Sequence, residues 1–402
     1  MWPAIVRHFP IVPPANSPLS AAGAASQEAR GLLRPAPRFQ FETMTLRSRV
    51  AVALLLTWVP LVILAAAGGV AMGEGVGIPL LYDYATNARF LVAMPVLIAA
   101  EGIVWSKVRA LTGYLVRSGL VAASDEPILE RLVQRFSVLR RSRVITVAAA
   151  IGVVFGVIFL RKVYSGDRST WEFVAGSSGQ IRSAAGWWNL LISVPVFQFL
   201  LLFWVWRYIA WCWFLFRLSR LDLVLLPSHP DRAAGLRPIA QVHQYWAIVV
   251  FAMSSLLSAH VGLEIVKGGR VLTDFRLEIA AFLGLSLIVL LAPFLAFSGR
   301  LQAARSRGLI DYGLLAAEYT RAFDAKWMGR ASAEHELLGS ADIQSLADLA
   351  NSYQVVHGLR YVPFELLNVF MIVLSVALPF VPLVFTRFSP IEVAREMIQI
   401  LL

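Results

Sequence analysis

Five ionisable side chains stand inside stretches that are otherwise apolar: Arg89, Glu101, Arg207, His260 and Glu264. A charged group in the middle of a membrane helix costs roughly 2.5 to 3.5 kcal/mol on insertion scales, so such residues usually mark ion pairs, proton relays or solute paths. Glu101 and Arg207 fall at matched depth toward one end of their spans. Arg89, His260 and Glu264 fall toward the other end, the last two at i and i+4 on one helix face. If the sets are functional, they gate a polar pathway in which His260 and Glu264 titrate. If they are structural, they fix helix register or reach the interface from a helix end, and that plainer reading is preferred.

A second constellation is the turn containing His229, Asp231 and Arg232, bounded by Pro227, Pro230 and Gly235. Here Asp231 is placed to cap the segment after it and Arg232 to meet lipid phosphates. His229 could bind a ligand or act as a base, but no second His, Cys or carboxylate stands beside it at metal-ligand spacing, so it reads first as a turn histidine. The glycines at 73, 75 and 77 follow no strand and precede Pro79, which excludes a dinucleotide fingerprint. No Walker motif, HExxH motif or nucleophile elbow occurs. The sequence therefore proposes no catalytic residue, metal or cofactor, and its single Cys212 excludes an internal disulfide.

The elements that must carry these residues are membrane helices. Of 402 residues, 58% are hydrophobic and 15% charged, and the mean hydropathy is +0.68. Apolar runs long enough to span a bilayer recur at about Val50–Met72, Ala88–Trp105, Val144–Leu160, Trp187–Phe216, Tyr245–Val266, Leu277–Ser298 and Val362–Thr386. Hydrocarbon leaves the backbone only its own hydrogen bonds, so these are helices and the fold class is an all-α polytopic bundle of about seven spans. Trp204, Trp206, Trp211 and Trp213 read as interfacial anchors. With the N-terminus inside, the inner segments hold 25 Lys and Arg and the outer segments 9. That asymmetry places the N-terminus inside and the C-terminus outside. It also accounts for the net charge of +11 without nucleic acid as a partner.

Residues 1–43 are rich in Pro and Ala and read as a disordered tail, consistent with a start at Met44; residues 44–402 form the membrane domain. Two inner connections, 106–143 and 299–361, are long enough to fold. The first carries a basic amphipathic helix with Ile128, Leu132, Val133, Phe136 and Leu139 on its apolar side, suited to anionic headgroups or to a neighbouring helix. The second reads as two helices, the later capped by Ser340, with Asp342 in its first turn and Ile343, Leu346, Ala350, Tyr353 and Val356 as its stripe. Ile391–Leu402 reads as a short interfacial segment.

The segments LSRLDLVLLPSHPDRAAGL (218–236) and ADIQSLADLANSYQVV (341–356) resemble a family of uncharacterised bacterial multi-pass membrane proteins. The resemblance covers the chain from about residue 44 onward and implies an architecture but no activity. It places Ala234 where a glycine would be expected. With 32 Arg to 4 Lys, the composition suggests a GC-rich bacterial genome. The expectation is thus a protein of a bacterial cytoplasmic membrane. Its leading function is passage or binding of a small solute or ion. The alternative is a non-transporting scaffold or regulator acting through its cytoplasmic helices, with a protein partner or a second copy.

Overall fold

The computed structural model describes residues 44–384 apart from 74, 141, 164–169, 177, 178 and 329–340. The chain divides after Met44 into two units, and the second, Thr45–Leu402, carries the fold described here. The tail expected at 1–43, Ser340 and the segment Ile391–Leu402 lie outside the described residues.

Of the described residues about 81% are helical, and among them are seven helices long and apolar enough to cross a membrane. They are compatible with an integral, multi-pass membrane protein. The first span is α1 (Leu46–Ala67), whose Thr45 side chain caps the helix by accepting from Ser48 N. The second is composite: α2 (Tyr84–Ala88), a wide turn at Arg89–Ala93, and α3 (Met94–Arg117). After α4 (Glu126–Arg140) and α5 (Arg143–Val163) comes a β-hairpin, β1 (Phe173–Gly176) paired antiparallel with β2 (Gly179–Arg182), which the hydropathy pattern does not announce. The fourth span repeats the second: α6 (Ala184–Trp188), a wide turn at Asn189–Ser193, and α7 (Val194–Leu218).

The two composite spans correspond position for position at an offset of 100 residues. Asp83 and Ser183 are the N-caps, accepting from Thr86 N and Gly186 N. In each wide turn a backbone N–H reaches back five residues, Met94 to Arg89 O and Val194 to Asn189 O. Pro95 and Pro195 follow at once. A proline inside a helix has no N–H to give and its ring presses on the carbonyl four residues back; widening the preceding turn makes room for it. The segments after α3 and α7 then cross over. α4 packs on α7, and α8 (Arg237–His243) packs on α3. Between them Ala122 N donates to Asp222 O at 2.9 Å and Val224 N to Leu120 O at 2.8 Å, pairing near-equivalent residues as a local two-fold would.

α9 (Ala247–Gly268) is the fifth span. Its Ser254 and Ser258 hydroxyls donate to the carbonyls of Val376 and Pro379, fastening the last span, α13 (Leu366–Ala377) and α14 (Val381–Val384), against it. The sixth span, α10 (Arg276–Leu291), bends at Pro293 and continues as α11 (Leu295–Trp327). At 33 residues and about 1.5 Å per residue, α11 extends for about 50 Å. α12 (Ala341–His357) folds back along it.

α5 sits at the rim. Gly152 and Gly156 turn toward α7, where a Cβ at 156 would stand 3.0 Å from Gln198. The opposite face exposes Val144, Val147, Ile151, Val154 and Phe155. Small residues inward and large aliphatic ones outward are the pattern lipid contact selects, because close backbone approach supplies most of the packing there.

Two sequence expectations need correction. Trp204 and Trp211 are not interfacial anchors: they are 1% and 0% exposed, in a core with Trp246, Phe214 and Phe294. The packed faces also shift by a residue or so. α4 buries Leu129, Leu132 and Phe136 while Ile128 is exposed, and on α12 Val356 is buried while Ile343 is exposed.

Candidate functional site

Polar groups collect at two levels of the junction between α1, α3 and α7. At the level nearer α4 and α12, Arg207 Nη2 lies 2.5 Å from Glu101 Oε1. Arg49, from the first turn of α1, approaches Glu101 Oε2 at 3.3 Å. The guanidinium of Arg207 also stands 4.3 Å from the Phe203 ring centre. The matched-depth pair expected from the sequence is thus in contact, as two arms of a three-residue cluster. Arg49 was not anticipated, because it precedes the span by which depth was counted.

The other level lies beside the β-hairpin. Trp171, wholly buried, donates from Nε1 to Asp83 Oδ2 at 2.9 Å. Its neighbour Glu172 accepts from Asn189 Nδ2 at 2.6 Å and from Arg182 at 3.3 Å. The Ser183 hydroxyl donates to Trp171 O at 2.8 Å. The segment at 171–183 therefore straps the cap of the first composite span to the wide turn of the second. Gly186 permits it, since a Cβ there would meet Glu172 O at 2.5 Å.

Burial pushes the Glu172 carboxyl above its ordinary value of 4.5, against the pull of Asn189 and Arg182. Such a group holds its proton more tightly in the folded chain than in the unfolded one. Folding therefore loses stability as pH rises from about 4.5, where the unfolded carboxyl ionises first. Glu172→Gln should remove this slope while keeping an acceptor for Asn189. In thermal scans the mutant should gain on wild type progressively as pH rises above about 4.5, and a constant difference would assign the group no linkage.

The second expected set does not assemble. Arg89 opens the first wide turn and its charge acts on Glu172 across the strap. His260 is exposed on α9, and the Glu264 carboxylate lies over Gly268 of the same helix. The reason is helical phase: Ser258, Val261 and Gly262 form the buried side of α9, and His260 and Glu264 project from the other side.

At the turn, Asp231 gathers backbone donors. Its carboxylate accepts from Ala233 N at 2.8 Å, Gly235 N at 3.1 Å and Arg237 N at 3.2 Å. His229 Nδ1 lies 2.9 Å from Asp231 Oδ1. Arg232 and Ala234 hold positive φ of 52° and 54°. For a residue with a Cβ that conformation costs about 1 to 2 kcal/mol, and the bonds to Asp231 oppose the cost. The turn forms with alanine at 234. The Arg232 carbonyl accepts from Arg360 N at 3.0 Å, and Glu365 bridges Arg237 and Arg360, both at 3.0 Å. His229 and Asp231 thus make their contacts within the turn, and Arg232 meets the segment that follows α12.

Sequence reasoning missed His243. It is 2% exposed and accepts from Trp211 Nε1 at 2.9 Å through Nδ1. Phe294 packs on it with ring centres 4.7 Å apart. Its Nε2 faces the Leu290 backbone with no hydrogen bond of normal geometry among the described residues. Close by, Pro293 leaves the Val289 carbonyl without its helical donor, and the Tyr208 hydroxyl takes it. Trp246, inside the expected span from Tyr245, was the available signal, but His243 itself fell two residues ahead of that span in a segment counted as a connection.

No family model, curated protein or solved structure matches this chain. The resemblance drawn from residues 218–236 and 341–356 therefore rests on those two segments alone. Among the described residues no three His, Cys, Asp or Glu side chains converge as a metal site requires.

Between the two polar levels, α3 contributes buried Met94 and Leu97, and α7 contributes Phe197 and Trp204. Trp204 Nε1 donates to Leu97 O at 3.2 Å across this layer. The middle of the seam is filled by these buried apolar and aromatic side chains.

Proposed function

We propose that this protein is a non-transporting scaffold or regulator of a bacterial cytoplasmic membrane, N-inside and C-outside, working through α11 and α12 on the cytoplasmic side. The observation that carries this reading is the contrast between the packed aromatic layer across the seam and the surface α11 offers beyond the bundle. There Ile310, Leu314 and Leu315 are 62%, 67% and 51% exposed. Continuity also supports it: α11 is one uninterrupted helix from Leu295 to Trp327, so a movement at its bundle end is carried to its far end. The hairpin is held in register by Lys326 and Trp327, which share the Asp342 carboxylate.

The test is a photoreactive phenylalanine placed at Leu314 in cells, with Val147 on the lipid-facing rim as control. Position 314 should give a protein adduct of one discrete mass, abolished by Ile310→Glu, and position 147 should not. Adducts with lipid alone at both positions would remove the scaffold reading.

A second reading, passage of a small solute or ion, is favoured by the duplicated composite spans, because interrupted helices at corresponding positions of two repeats commonly flank transporter sites. Proton or solute flux in proteoliposomes that Glu101→Gln abolishes would replace the scaffold with this reading.

A further inference from the structure

A groove of about 430 Å³ runs along the outside of the bundle between α2, α9 and the last span, with Tyr84, Val92, Phe251, Gly262, Pro379 and Leu383 among its walls. It follows α9 from Phe251 to Val266, fifteen residues or about 22 Å. That is more than the depth of one leaflet of a hydrocarbon core about 30 Å thick. Gly262 creates the floor: a Cβ there would lie 3.0 Å from Leu383, so its absence lets the last span close against α9.

Inside the groove, the serine hydroxyls of α9 are already taken. The Ser258 hydroxyl is committed to Pro379 O at 2.6 Å and the Ser255 hydroxyl to Ala252 O at 2.8 Å. The mouth is different in character. Beside Val266, the Lys267 ammonium stands 5.6 Å from the Tyr82 ring centre, and no described carboxylate pairs with it. Tyr82 and Tyr84 are both exposed there. An apolar channel as long as a lipid tail, with Lys267 one residue beyond its Val266 wall, paired with no carboxylate among the described residues, and Tyr82 and Tyr84 nearby, matches a phospholipid from tail to phosphate.

We propose that this groove is a binding site for one phospholipid of the leaflet nearer the β-hairpin, its acyl chain lying between α2, α9 and the last span and its phosphate at Lys267. The site depends only on the helices lying in a bilayer and is independent of orientation and of the scaffold reading.

The test is native mass spectrometry of the delipidated full chain in detergent, titrated with palmitoyl-oleoyl phosphatidylglycerol. One lipid per chain should survive collisional activation that strips the rest. Ala259→Trp, which fills the groove, should reduce retention at least tenfold, and Val92→Phe gives the same readout should the first variant fail to fold. Lys267→Ala should weaken binding about fivefold, as loss of one basic residue near an anionic headgroup does. Glycerol 3-phosphate, which has no tail, should not compete. Equal retention in wild type and both filled variants would overturn the site. Competition by glycerol 3-phosphate would reduce it to a surface ionic contact. Increased lipid retention after deletion of residues 387–402 would assign the groove to the chain's own end.

Discussion

Glu101→Gln should destabilise the folded protein by about 3 kcal/mol, near the lower end of the cost of removing one partner of a buried ion pair. Arg207→Met should cost less. The asymmetry follows from burial and from the third member of the cluster: Arg207 is 7% exposed, whereas Glu101 is 33% exposed and keeps Arg49 at 3.3 Å. Loss of the carboxylate leaves a buried guanidinium facing a neutral amide. Loss of Arg207 leaves a carboxylate that still has a cation and some contact with its surroundings. Cycles with Glu101→Gln, Arg207→Met and Arg49→Met, measured by reversible unfolding in detergent, separate the arms. The Glu101–Arg207 coupling should be about 2 kcal/mol or more, and the Glu101–Arg49 coupling below about 1 kcal/mol as for partly exposed pairs. Equal couplings would mean that Glu101 is shared evenly and that burial of Arg207 contributes nothing.

Depth along a helix was legible in the sequence; phase around it was not. Glu101 and Arg207 could be paired because the hydropathy edges of their spans are sharp and the two side chains happen to face one another. His260 and Glu264 satisfied the same depth argument and fail because the buried side of α9 is set by Ser254, Ser258 and Gly262, small residues that a hydropathy window treats as neutral. The same blindness applies to Trp204 and Trp211. An aromatic-rich span reads as interfacial when its neighbours are unknown, yet here they supply the core. The composite spans were written in the chain as a repeat of cap and proline, Asp83 with Pro95 and Ser183 with Pro195. Composition hides it, since the residues between share almost no identity. His243 was lost to a boundary: α8 and the turn after it run without a break into α9, so a connection by hydropathy is part of the bundle by packing.

The second large effect is expected at Gly308, where α11, the turn at 227 and α12 meet. A Cβ at this position would lie 2.5 Å from Pro227 Cβ and 2.9 Å from Val356 Cγ1. Neither neighbour is the mobile end of a long side chain, so α11 must move away from one of them. Helix propensity alone makes Gly308→Ala favourable by about 1 kcal/mol. A net loss in that variant would therefore isolate the steric contact, and Gly308→Val should deepen it to about 3 kcal/mol, the upper part of the range for overpacked sites. The contact lies where Arg305 donates to His357 O at 3.0 Å and Arg360 N to Arg232 O at 3.0 Å, so its disruption should free α12 from the turn as a unit. A cysteine at Leu359, which is 3% exposed in the native packing, reports this directly. In a Cys212→Ala background it should react slowly with a maleimide in the parent and at least tenfold faster with Gly308→Val. A variant that lost stability while Leu359 stayed protected would place the strain inside the membrane bundle. The hairpin would then be fastened by its polar bonds alone, and Arg232, Arg305 and Arg360 would become the residues on which its position depends.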